Sequence, residues 1–159
     1  MKTKRERESV WDYPRPPIWE PCERVIHVVF AGRTIAATTR SIRVLETSHP
    51  PVYYIPPCDI EPGVLRPAEH RSFCEWKGVA RYHNVSTGGN IARNGAWSYP
   101  DPAEEFEAIR DWVAFYAHRM EACYVDGELV QPQSGSFYGG WITSDLEGPF
   151  KGGPGTRGW

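Results

Sequence analysis

The apolar positions of this chain fall in short alternating or continuous runs bounded by Gly and Pro, which is the pattern of strands. Val25-Ile26-His27-Val28-Val29-Phe30 is β-branched and aromatic, Ala31-Gly32-Arg33 turns it, and Thr34-Ile35-Ala36-Ala37-Thr38 returns, so a hairpin is expected. Residues 41–46 form the next strand, with Ile42, Val44 and Glu46 on one face and Arg43 and Leu45 on the other. The short run 52–55 is boxed by Pro50-Pro51 and Pro56-Pro57, which suits a sheet edge or a pocket rim. Two more strands, 73–77 and 79–85, flank Gly78; Gly88-Gly89 turns the chain and 96–99 completes the set. The Asp126-Gly127 pair between 122–125 and 128–131 supplies the positive φ of a tight hairpin turn.

A single helix is expected. Asp101-Pro102-Ala103-Glu104 reads as N-cap, helix-starting Pro and capping-box Glu, and Phe106, Ile109, Val113 and Tyr116 follow at helical spacing. The fold class is therefore mainly β with one helix, an α+β domain built on antiparallel sheets.

The chain divides by composition into three parts. Residues 1–23 are charged and then Pro-rich, with Trp11 and Trp19 placed to anchor an extended strap on the domain. Residues 24–132 carry the strands and the helix. Residues 133–159 hold eight of the 15 Gly among scattered aromatics, and little packing is expected of them. Over 159 residues, 18 Lys and Arg against 20 Asp and Glu leave a net charge of -2, so neither nucleic acid nor an anionic membrane is an expected partner. The charged start without an apolar stretch reads as cytoplasmic. The four Cys form no C-x-x-C pair, and the five His form no H-x-x-x-H pair, so neither a metal nor a cofactor is expected.

Apparent motifs fail on context. Gly153-Pro154-Gly155-Thr156-Arg157-Gly158 spells a dinucleotide fingerprint, but the strand before it and the helix after it are missing. No G-x-S-x-G elbow surrounds Ser48, Ser134 or Ser136.

Reactive side chains concentrate in three segments: 46–59, 74–82 and 96–100. By strand parity Glu46 ends an apolar face, where a carboxylate needs a partner. Lys77, just before a Gly that permits close backbone approach, is the expected one. With Tyr54, Trp97 and Tyr99 around them, Glu46 and Lys77 outline an aromatic-walled pocket bearing both signs of charge. The alternative is a structural ion pair beneath an aromatic lid. Asp59 is a further ligand-binding candidate, although its setting also suits a turn.

These segments, in order, resemble the bacterial domain-of-unknown-function 427 family: Arg43-Val44-Leu45-Glu46-Thr47, Tyr53-Tyr54-Ile55-Pro56 with Asp59, Lys77-Gly78-Val79-Ala80-Arg81-Tyr82, Ala96-Trp97-Ser98-Tyr99-Pro100, Val113-Ala114-Phe115-Tyr116 and Val125-Asp126-Gly127-Glu128. The resemblance implies bent antiparallel sheets of the Mss4-like or β-tent kind, here without the C-x-x-C zinc knuckles. The family has also been labelled nucleotidyltransferase-like, yet this sequence has no D-x-D carboxylates to hold two Mg²⁺. Two functional expectations follow. The first is a small-molecule-binding domain, its status as an enzyme open, in which Lys77 contacts an anionic group, Glu46 accepts a hydrogen bond or a proton, and the rings stack a planar ligand. The second is a non-catalytic interaction module whose arm and tail engage a partner or a second copy in a homodimer.

Overall fold

The computed structural model describes residues 5–159. It is mostly β, with several antiparallel sheets and none closed into a barrel. One sheet has the order β12-β11-β3-β4, from β3 (Ile26–Phe30), β4 (Arg33–Thr38), β11 (Ala122–Val125) and β12 (Glu128–Leu129). A second has the order β10-β9-β8-β7, from β7 (Leu65–Cys74), β8 (Gly78–Thr87), β9 (Asn90–Ser98) and β10 (Val113–Phe115). A third, β2-β5-β6, joins β2 (Ile18–Cys22), β5 (Ser41–Leu45) and β6 (Val52–Tyr54). Register breaks between Pro67 and Arg71 and between His83 and Val85 are bulges that bend the second sheet.

The expected hairpins form. Asp126 and Gly127 adopt φ of 51° and 80°, as a tight β11–β12 turn demands. The short run after Pro50-Pro51 is indeed an edge strand: β6 pairs with β5 on one side, while Ile55 alone bridges to Val113 through hydrogen bonds of 2.8 and 2.9 Å. That bridge connects the second and third sheets.

The long helix does not form. Glu104–Ile109 is a kinked 3-10 segment, capped at Ala103 with no side-chain hydrogen bond, so Asp101 is not its N-cap. Asp111 then takes φ of 63°, and Val113–Phe115 becomes β10. The reason is burial on both faces. Val113 and Phe115 point to one apolar cluster, and Ala114 and Tyr116 to another, an alternation only a strand produces.

The same alternation organises the whole centre of the molecule. Tyr53, Ile55, Ala96, Val113 and Phe115 face a main core with Ile26, Val28, Ile35 and Val125. Tyr54, Trp97, Ala114 and Tyr116 face the opposite way, joining Ile42, Val44, Tyr82, Tyr99 and Phe106. The second face is rich in rings carrying polar tips, and it is where the cavity lies.

Residues 133–159, expected to pack little, pack well. Trp141 is 1% exposed, stacks on Tyr53 at 5.2 Å and donates its indole hydrogen to the Phe115 carbonyl at 3.0 Å. Gln131–Pro132 (β13) pairs with Trp141–Ile142 (β14), and Leu146–Glu147 (β15) lies parallel to Glu8–Ser9 (β1) of the arm. Asp145 completes the attachment with ion pairs to Arg24 at 3.1 Å and Arg5 at 3.6 Å. The arm itself is extended and strand-paired through β2. Its Trp11 and Trp19 donate to the carbonyls of Pro149 and Glu105. Buried Arg43 holds it from below by pairing with Glu8 and Glu20.

Candidate functional site

A cavity of about 510 Å³ opens on the aromatic face, in the size range of small-molecule sites. Strand parity sets its floor: Tyr54 from β6, Tyr82 from β8, and Trp97 with the following Tyr99 from β9 all project to the same side. The rings form a continuous row. Tyr99 lies 6.4 Å from Tyr54, Tyr54 6.4 Å from Trp97, Trp97 4.5 Å from Tyr116, and Tyr116 6.3 Å from Tyr82. The Trp97 indole donates to the Tyr54 hydroxyl at 3.4 Å. Tyr116 donates to the Phe137 carbonyl at 2.8 Å, so the 3.3 Å contact between the two phenols is donated by Tyr82. Burial raises the pKa values of Tyr54, Tyr99 and Tyr116, and the floor stays uncharged.

Five of the six sequence-derived candidates meet at this cavity. Glu46, Tyr54, Lys77, Trp97 and Tyr99 all line this one cavity. Asp59 does not. It ends the short Pro57–Asp59 turn, accepts hydrogen bonds from Thr38 at 2.7 Å and Arg40 at 2.9 Å, and has its pKa lowered to about 2 by those bonds.

The expected Glu46–Lys77 pair is also not formed. Glu46 sits beyond the end of β5 at the arm side of the cavity, 3.5 Å from Arg15 and 3.6 Å from His49. Lys77 sits in the β7–β8 turn across from it. Gly78, at φ of 111°, lets the Asp101 carbonyl come within 3.3 Å of where a Cβ would stand, and the Lys77 carbonyl accepts from the Ala103 amide at 2.9 Å. That turn lays the Lys77 ammonium over the rings of Tyr99 at 5.9 Å and Phe106 at 5.8 Å. Lys77 is only 9% exposed, and no carboxylate of the described residues lies within ion-pair distance of it.

His49 was not singled out by the sequence, although it lies in one of the flagged segments. It lines the cavity and is buried against Tyr138, 4.8 Å ring to ring. Its orientation is fixed by Gln133, whose amide oxygen accepts from Gly140 at 3.0 Å and whose amide nitrogen donates to the Lys151 carbonyl at 2.7 Å. The same nitrogen faces His49 Nδ1 at 3.3 Å, so Nδ1 accepts and Nε2 carries the hydrogen toward Glu46. Burial, then the charges of Lys151, Arg15 and Lys77, push the imidazole pKa down to about 4. His49 is thus neutral at pH 7.

The tail builds one wall with Phe137, Tyr138, Gly139 and Lys151. At Gly139 the backbone rests directly on Trp97: a Cβ there would fall 2.2 Å from the indole. Lys151 lies over Tyr138 at 5.4 Å and donates to the Trp159 carbonyl at 3.2 Å. Among the described residues no three His, Cys, Asp or Glu side chains are gathered to hold a metal.

The family model described as Domain of unknown function (DUF427) matches residues 18–126. The chain belongs to the DUF427 family. No curated protein matches the sequence. The DUF427 match contains the cavity floor together with Glu46, His49 and Lys77, while the wall from Gln133 to Lys151 lies outside it.

Proposed function

We propose that this DUF427 protein binds a small planar molecule carrying an acidic group, in the cavity floored by Tyr54, Trp97 and Tyr99. The observation that carries the reading is Lys77: an ammonium nearly out of solvent, above aromatic rings, with no carboxylate of the described residues within ion-pair distance, although Glu46 and Glu75 line the same cavity. Desolvating an ammonium without a partner is unfavourable, and an anionic group entering the cavity relieves that cost. The uncharged rings give a planar body an apolar, aromatic-lined wall to pack against. Across the cavity, Glu46 accepts a hydrogen bond from a ligand N–H or O–H. If a reaction follows, Glu46 is the group positioned to take the proton, backed by His49 Nε2–H and Arg15 rather than by Lys77.

The strand pairings of arm and tail to their own domain favour the ligand reading over an interaction module, since both segments are already engaged within the chain. The same reading takes the bent sheets as a zinc-free β-tent and places the protein in the cytoplasm.

Native mass spectrometry of protein isolated from its own host tests it. The expected result is an adduct of a planar acid on the wild type that is absent from Lys77→Met purified alongside. A bare wild-type mass, or the same adduct on both proteins, counts against the proposal.

A further inference from the structure

Beyond the ring row lies a second cleft of about 260 Å³. It shares Tyr82, Tyr116 and Phe137 with the first cavity, so the two adjoin at these three rings. Its other face presents His70, Asn94, His118 and Arg119, and no Asp or Glu of the described residues lines it. Arg119 forms no ion pair among the described residues. The two imidazoles cap the ring row, His70 against Tyr82 at 4.6 Å and His118 against Tyr116 at 5.2 Å.

We infer that this cleft is a second subsite of the same ligand site and takes a further acidic group, a phosphate or a carboxylate, on Arg119 with His70 and His118 as neighbouring donors. The inference rests on the reading of the first cavity. A guanidinium offers a fork of donors matched to both kinds of anion, and here it stands in a cleft with no competing acid. Burial and then the Arg119 charge lower the His118 pKa. Because the two clefts adjoin at Tyr82, Tyr116 and Phe137, one ligand with an acid at Lys77 reaches Arg119 by passing over these rings. Ligands with a single acidic group would leave the distal cleft unfilled. The substrate class that fits is therefore a planar molecule acidic at two ends.

Inorganic phosphate and acetate, titrated separately at constant pH into the full-length protein, test the cleft by NMR of the histidine ring hydrogens. Phosphate, acetate or both should shift His70 and His118, and whichever anion binds more tightly identifies the group. In Arg119→Gln the dissociation constant should rise at least about fivefold, as expected for loss of a charge-assisted contact, while Arg157→Gln, an exposed arginine outside both clefts, leaves it unchanged. Arg119 is exposed, so its variant keeps the fold, and a conserved amide spectrum verifies that. Unmoved histidine signals, or equal affinity in Arg119→Gln, overturn the inference while leaving Lys77-dependent binding to stand. Anion binding at Arg119 with no ligand dependent on Lys77 overturns the first-cavity reading instead and leaves an isolated anion cleft.

Discussion

His49 is held neutral beside three cations, and that has a measurable consequence. Folding lowers its pKa from 6.5 to about 4, so between these values the unfolded chain binds the extra proton. Its contribution is whole above about pH 6.5 and falls as pH drops through that window, by roughly 3 kcal/mol at pH 4. Denaturant titrations at pH 7 and pH 4.5 should show a smaller pH-dependent loss in His49→Gln than in the wild type; equal losses would contradict the assignment. At this scale the sequence was partly legible. Strand parity put Glu46 on the cavity side of β5, and Gly78 marked the close approach that shapes the Lys77 turn. The partner of Glu46 was not legible. Its contacts come from Arg15 in the arm and from His49 beyond Ser48, whose φ of 71° turns the chain in a way no periodicity reports.

The element that completes the cavity is the one whose sequence says least. Glycines and scattered aromatics between 133 and 159 have no period, yet Gly139 is small so that backbone can lie on Trp97. Gly139→Ala should force that contact apart and cost about 1–3 kcal/mol by overpacking, read as a lower denaturation midpoint with altered tryptophan fluorescence. A midpoint equal to the wild type would show that the tail is not seated on the ring. The stretch 106–116 misleads for a related reason. Apolar residues at 106, 109, 113 and 116 match a helical stripe, while Val113-Ala114-Phe115 is also a continuous buried strand. Long-range pairing to β9 and Ile55 decided between them, and local spacing carries no record of that pairing.

Taken whole, the molecule is a bent β-sheet assembly with one apolar core on one side and an aromatic-rich cluster lining the cavity on the other, clasped by the described part of its arm and by its tail. Trp141 is the deepest point of that clasp, and Trp141→Ala should cost about 3–5 kcal/mol by leaving a cavity against Tyr53. A loss under about 1 kcal/mol in chemical denaturation would mean that the tail is incidental to stability. The cavity-facing side of β5 was legible in the alternation of Ile42, Val44 and Glu46, whereas the wall built by the tail was not. On the proposed reading, Lys77 takes the acidic group of a planar partner. A thermal-shift screen of nucleotides, aryl phosphates and aromatic carboxylates, run on the wild type and on Lys77→Met, tests it most directly. At least one of these classes should raise the wild-type Tm and leave that of Lys77→Met unmoved. No shift with any class, or equal shifts in both proteins, would contradict the claim.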